Sequence, residues 1–290
     1  MLLVVDIGNT QSVLGLFKER RLCDTWRLSS DLTRTSDELS IVVGRLLEDS
    51  VGRNESLRFD KLVIASVVPA LTQAWIGLVQ KLDNFDEQTE VIRVDSNVAA
   101  QYSAQSVNAH EVGADRIANA LAAQKLYDSP AIVVDFGTAT NIDVIDEQGH
   151  YCGGVISPGL QASAAALFSN AARLSSIELK MPAKVLGTDT KTAVQSGLVR
   201  GEAAKVDTLI QALREEQSFL NATHLPVIAT GGLASHVLSA STQITHYDEH
   251  LTLKGLCLLA EPSSAPSLLA ASKGERNASL QTGNKEELLV

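Results

Sequence analysis

The sequence predicts a duplicated α/β fold, and the prediction rests on two similar turns and on an order of elements that recurs. Asp6-Ile7-Gly8-Asn9-Thr10 and Asp135-Phe136-Gly137-Thr138-Ala139-Thr140 are variants of one device. Each follows an apolar run, residues 2–5 and 131–134, that reads as a buried strand. Each then sets an Asp at the strand end, a glycine two residues on, and hydroxyl side chains in the turn. A carboxylate there can hold a cation, glycine lets a backbone approach closely, and threonine with backbone N–H groups can bind phosphate oxygens. Two such turns about half a chain apart point to a nucleotide gripped between two halves of one fold.

The elements follow in order. Residues 2–5, 11–17 and 21–28 read as strands of an antiparallel meander, with the charged Lys18-Glu19-Arg20 as a turn. Ser36 with Asp37 and Glu38 behind it starts a helix, whose apolar stripe is Leu39, Val42, Val43, Leu46 and Leu47. Residues 61–67 form a buried strand stopped by Pro69; 71–82 form an amphipathic helix, 89–94 a short strand and 111–127 an alanine-rich helix. The second half repeats the order with strands at 131–134, 141–146 and 149–155 and a helix at 159–167. Helical patterns return at 190–215, and a strand at 225–229 ends in Thr230-Gly231-Gly232 before another helix. This recurrence is an internal repeat. Residues 261–290 are rich in Ser, Ala, Gly, Asn and charge and read as a disordered tail, with a short helix at 268–273 as an option.

Bulk properties narrow the function. The chain has 290 residues, 45% of them hydrophobic, enough for one large core or two moderate ones. A net charge of −10 argues against nucleic acid, which needs a clustered basic surface. Cys23, Cys152 and Cys257 are few and far apart, which excludes a disulfide scaffold and reads as small buried hydrophobes. No run of eighteen apolar residues is present, and Asp6 interrupts the N-terminal apolar stretch, so the reading is no membrane association and a cytoplasmic protein.

The candidate site residues each admit a bland reading. Asp6 to Thr10 suits a plain tight turn, in which Gly and Asn take positive φ. Against this, Asp6 and Asp135 end strands apolar at every position, and a carboxylate there is costly without a partner. Asp115 in Gly113-Ala114-Asp115-Arg116 is explained by the macrodipole of the helix it opens, and that dipole should lower its pKa. Arg116 is not so explained; it becomes sensible beside an anionic ligand. Gly153-Gly154 and Ser157-Pro158-Gly159, taken alone, read as a bend and a Pro-terminated strand, while Thr230-Gly231-Gly232 is either a turn or a place where a nucleotide's sugar or adenine lies against bare backbone.

Taken in order, these motifs, with Ser66-Val67-Val68-Pro69 and the closing Leu251-Thr252-Leu253-Lys254-Gly255-Leu256, closely resemble type III pantothenate kinases, the Bvg accessory factor family. The resemblance covers residues 1 to about 260. It implies membership of the acetate and sugar kinase, Hsc70 and actin superfamily: two duplicated actin-like (ribonuclease H-like) domains, 1–125 and 126–260, with mixed five-stranded sheets, flanking helices and a cleft between them. The implied activity is ATP-dependent phosphorylation of pantothenate to 4'-phosphopantothenate, the first step of coenzyme A synthesis. The alternatives are another small-molecule kinase of the superfamily, acting on a sugar or alcohol, and a nucleotide-binding regulator without catalysis.

By resemblance, Asp6, Ile7, Gly8, Asn9, Thr10, Gln11, Ser12 and Val13 make the first phosphate loop, with Asp6 on the Mg²⁺–phosphate side. Thr138 contacts phosphate from the second loop, Gly231 and Gly232 lie at the nucleoside, and Asp135 binds a monovalent cation, K⁺ or NH₄⁺. Gly113, Ala114, Asp115 and Arg116 bind pantothenate with Asp115 as catalytic base, and Thr190 of Gly187-Thr188-Asp189-Thr190 also touches it. A homodimer with a substrate site near its interface is implied too. One departure stands out. The family's substrate tyrosine falls at Ser106 here and its proline at Ala109, while Tyr102 lies four residues too early.

Overall fold

The computed structural model describes residues 1–51, 57–169 and 177–261; the predicted tail, apart from Glu261, lies outside the described residues. One sheet comprises β1 (Leu2–Ile7), β2 (Gln11–Lys18), β3 (Arg21–Ser29), β4 (Lys61–Ser66) and β5 (Glu90–Arg93), in the order β3-β2-β1-β4-β5. The other comprises β6 (Ala131–Phe136), β7 (Ala139–Ile145), β8 (Tyr151–Pro158), β9 (Val227–Thr230) and β10 (His246–Tyr247), in the order β10-β9-β6-β7-β8. Each sheet pairs its first three strands antiparallel and adds its last two in parallel. The duplication therefore holds strand by strand, and both sheets are mixed and five-stranded, as predicted.

The helices are α1 (Ser36–Val51), α2 (Pro69–Gly77), α3 (Ser96–Tyr102), α4 (Ala114–Leu126), α5 (Leu160–Ser169), α6 (Thr190–Gln195), α7 (Gly201–Glu216), α8 (Ala234–Val237) and α9 (Leu251–Leu259). A wide turn at Ser196–Arg200 joins α6 to α7. Strand alternation assigns the layers. Leu3, Val5 and Ile7 of β1 pack outward with α1 and α2, while Leu2 and Val4 pack inward with α9. Ile132, Val134 and Phe136 of β6 pack outward with α7, while Ala131 and Val133 pack inward with α4. Helices α4 and α9 thus form one layer between the two sheets, and they cross so closely that Gly255 of α9 lies against the Ala118 carbonyl of α4.

Three elements have no counterpart in the sequence reading. Helix α3 is seven residues long and depends on Asp95, whose side chain accepts from the N–H groups of Asn97 and Val98. Strand β10 spans two exposed residues, too few to leave a pattern. Helix α9 is apolar on both sides because it is sandwiched, so it lacks the polar face that marks a surface helix. The predicted 111–127 helix starts at Ala114, since Gly113 is extended (φ −61°, ψ 142°). Cysteine behaviour also departs from the expectation: Cys257 is buried, but Cys152 is half-buried and Cys23 is exposed on β3. Among the described residues no helix is long and apolar enough to cross a membrane.

Candidate active site

The same alternation that builds the layers aims the chemistry. Asp6 shares the inward face of β1 with Leu2 and Val4, and Asp135 shares the inward face of β6 with Ala131 and Val133. The two carboxylates therefore approach from opposite sheets, at the end of the α4–α9 layer. Between them opens a cleft of about 660 Å³. The turns after the two strands are built alike. Gly8 N–H donates to Gln11 O at 3.0 Å, and Gly137 N–H to Ala139 O at 3.0 Å. Beyond them Ser30 N–H donates to Thr10 O at 3.0 Å, and Gly159 N–H to Thr138 O at 3.2 Å. The loops meet across the cleft, where the hydroxyls of Thr10 and Thr138 share a 2.9 Å hydrogen bond. A phosphate entering there would find both hydroxyls already converged.

Helix α4 supplies the third carboxylate. Asp115 lies in its first turn, and Asn119, one turn on, is buried beneath it. Asn119 Nδ2 donates to Asp135 Oδ2 at 3.4 Å, and its Oδ1 accepts from Thr252 of α9 at 2.8 Å. One residue thus ties both central helices to the floor of the cleft. Asp115 Oδ1 is buried and has no hydrogen-bond partner. Burial raises the Asp115 pKa, against the opposing pull of the Arg116 backbone N–H and of the Arg116 charge. This corrects the sequence expectation of a lowered value: removal from water outweighs the helix dipole.

The cleft holds more negative charge than the residues pay for by pairing. Burial holds Asp6 well above the usual carboxylate range, and Asp115 and Asp135 add repulsion. Asp135 is pushed to about 6 by burial and then by Asp115, while the Asn119 hydrogen bond and Arg27 act the other way. Among the described residues no cluster of three or more His, Cys, Asp or Glu is arranged to hold a metal by itself. The donor set nevertheless suits an oxygen-seeking cation. Asp135 is flanked in register by Asn141 on β7 and Thr230 on β9, and Asn141 Oδ1 and Thr230 Oγ1 are both buried without partners.

Arg116 is not a free surface cation. Its Nε donates to Asp143 Oδ1 at 2.6 Å, its guanidinium lies 5.1 Å from the Tyr151 ring centroid, and Asp143 is fully buried. Burial raises Asp143 to about 7, more than the Arg116 charge lowers it. Of the predicted site residues, Asp6, Gly8, Asn9, Thr10, Gln11, Val13, Gly113, Asp115, Arg116, Asp135, Thr138, Gly231 and Gly232 all line the cleft. Ile7 points into the outer core, Ser12 is buried against the Ser30 hydroxyl at 3.1 Å, and Ala114 packs with α9. Thr190 is exposed as the first residue of α6, away from the lining. Tyr102 is buried beside α4, and Ser106 lines a second cavity of about 570 Å³.

Residues that sequence reasoning missed include Arg27, Asn119, Asn141, Asp143, Glu249 and Thr252. Asn119 had a signal, its i+4 spacing from Asp115 on a helix. Asn141 and Arg27 are found only through cross-strand register, because Val13 pairs with both Asp6 and Arg27, and Asn141 with both Asp135 and Ile156.

A family model described as type III pantothenate kinase matches residues 2–212. A Bacillus cytotoxicus protein named type III pantothenate kinase is 39% identical over 278 residues, covering 95% of this chain and 100% of that one. Among solved structures, (R)-2-hydroxyglutaryl-CoA dehydratase component A from Acidaminococcus fermentans matches with a TM-score of 0.51 at 14% identity, covering 91% of this chain and 95% of that one. Ethanolamine utilization protein EutJ from Carboxydothermus hydrogenoformans matches with a TM-score of 0.50 at 16% identity, covering 88% of each. Likeness at these identities concerns the fold alone, and it agrees with the duplicated pair of mixed five-stranded sheets.

Proposed function

The chain belongs to the type III pantothenate kinase family, and from that premise we propose that it transfers the γ-phosphoryl group of ATP to the primary hydroxyl of pantothenate. The product is 4'-phosphopantothenate, and the reaction opens coenzyme A synthesis. The observation that carries the site assignment is the buried, unpartnered Asp115 Oδ1, set in one cleft with two Asp–Gly–Thr loops whose hydroxyls already touch.

Phosphoryl transfer asks for positioning and charge neutralisation more than covalent help. Asp115 accepts the hydroxyl proton of pantothenate and aims its oxygen at the γ-phosphorus. Its raised pKa suits this task, since a partly buried carboxylate is a stronger base than an exposed one. Thr10 and Thr138 hold phosphate oxygens together with the N–H groups of both loops, and Gly231 and Gly232 leave room for the nucleoside. Arg116, held by Asp143, orients the acceptor's carboxylate. Asp6 stands on the Mg²⁺ side, and Asp135, with Asn141 and Thr230, fits K⁺ or NH₄⁺. Bound cations there would offset phosphate charge.

In this reading residues 1–125 and 126–260 act as two lobes, in a cytoplasmic homodimer. The exposed Thr190 is then read as reaching the substrate across the interface, and its apolar neighbours Val185 and Leu186, 71% and 80% exposed, give a second copy something to cover. Phosphate transfer from ATP, measured with pantothenate, hexoses and glycerol in potassium and in sodium buffer, tests the reading. Turnover confined to pantothenate and dependent on potassium is expected. Turnover of a hexose but not pantothenate would overturn the substrate, and full activity in sodium would remove Asp135 from its role.

A further inference from the structure

The two halves of the cleft repeat each other in register, and one position breaks the repeat with a charge. Across the first sheet Asp6 pairs with Val13, which pairs with Arg27. Across the second, Asp135 pairs with Asn141, which pairs with Ile156. Side chains paired in register share a face, and all six of these residues line the cleft. The outer strand of one lobe therefore offers a guanidinium where the other offers an isoleucine.

We propose that Arg27 is the polyphosphate-binding cation of this cleft, and that Glu249 holds its place until a nucleotide arrives. The inference rests on the reading of the cleft as an ATP site. Asp6, Asp115 and Asp135 already crowd the site with carboxylates, and a polyphosphate brings further negative charge. Among the described residues that line the cleft, the guanidinium groups are Arg27 and Arg116. Arg116 is anchored by the buried Asp143 and, in that reading, faces the acceptor's carboxylate. Among the described residues Arg27 pairs with Glu249, at 3.2 Å, and the two side chains are 39% and 46% exposed. Such a rim pair is worth little, so exchanging it costs little. A polyphosphate offers the same guanidinium shorter, charge-assisted and bidentate contacts.

Two further observations place Arg27 on the nucleotide side. A Cβ added to Gly232 would lie 3.3 Å from Arg27 Nη1, so the glycine leaves the guanidinium its space beside the second lobe. Arg27 also lowers the pKa of both Asp6 and Asp135, the carboxylates at the roots of the two phosphate loops. Arg27 thus does work that a loop lysine would do, from the third strand of the sheet.

The test combines calorimetric binding of a non-hydrolysable ATP analogue with Mg²⁺ and steady-state kinetics on the full chain. Arg27→Gln should weaken analogue binding about tenfold or more and raise KM for ATP in step, with KM for pantothenate within twofold of wild type. Arg27→Lys should recover part of the loss, and Glu249→Gln should bind the analogue at least as tightly as wild type. Melting temperatures within about 2 °C of wild type are expected for all three, because the pair is at the rim. Analogue binding by Arg27→Gln within twofold of wild type would overturn the proposal. So would a weakening in Glu249→Gln equal to that in Arg27→Gln, since the pair would then be a strap between lobes. If wild type itself binds no analogue, the ATP reading fails first and the inference falls with it.

Discussion

Replacing Gly255 by alanine tests whether the close crossing of α4 and α9 sets the catalytic geometry. An added Cβ would lie 1.9 Å from the Ala118 carbonyl oxygen, 2.5 Å from its carbon and 2.9 Å from Cα. Ordinary contact begins near 3.4 Å, so α9 must withdraw by about 1.5 Å. Backbone atoms cannot rotate aside as a side chain could. Overpacking of this kind costs about 3 kcal/mol. Alanine returns up to about 1 kcal/mol over glycine within a helix. The steric term wins, leaving a net loss of about 2 kcal/mol, or roughly 4–8 °C in Tm. Because α4 carries Asp115 and Asn119, a shift above 1 Å should also cut kcat/KM about a hundredfold. Gly201→Ala is the matched control. That position is exposed and helical, with nothing within 4 Å of an added Cβ, and should gain about 0.5–1 kcal/mol. Chemical denaturation and kinetics on both variants decide the matter. Gly255→Ala within 0.5 kcal/mol of wild type, at full activity, would refute the reasoning.

The pH profile should carry the mark of Asp115. A base works ionised and burial favours the neutral acid, so kcat/KM should fall on the acid side at a pH above the ordinary aspartate value near 4; a rate unchanged down to pH 4 contradicts this. Asp143 acts on stability. Its folded pKa, about 7, exceeds the unfolded one, so its contribution is full below about pH 4 and is lost as pH rises through 7. Asp143→Asn should flatten that part of the stability–pH curve and raise KM for pantothenate by loosening Arg116; an unchanged slope in thermal melts across pH 4–8 would count against the assignment. Gly231 has φ +88°, and an added Cβ would meet Asp135 Oδ1 at 2.4 Å. Gly231→Ala should therefore cost at least about 2 kcal/mol by urea denaturation and cut turnover together.

What the sequence made legible was whatever is local and repeated. The two apolar strands ending in Asp, the hydroxyls behind them and the helix opened by Gly113 are each contained in a few residues, and alternation alone then turns Asp6 and Asp135 inward. Arg27 was not legible, because its relation to Asp6 runs through two strand pairings and Val13. Asp143 was hidden in a strand where a buried carboxylate looks like any polar residue, and its meaning comes from Arg116 on another element. Helix α9 was obscured for the opposite reason: packed between two sheets, it has no polar face to give it a period. The Asp115 pKa was misjudged because sequence shows the helix start and not the burial around it.

The proposed function makes Asp115 the base, in a cleft where other residues would hold ATP. The most direct measurement is phosphopantothenate formation by Asp115→Asn, beside calorimetric binding of an ATP analogue to the same protein. Loss of a general base predicts a fall in kcat of roughly 10²- to 10⁴-fold, with analogue affinity within a few-fold of wild type. Pantothenate turnover retained within about threefold, with the variant folded, would contradict the assignment of Asp115 as base.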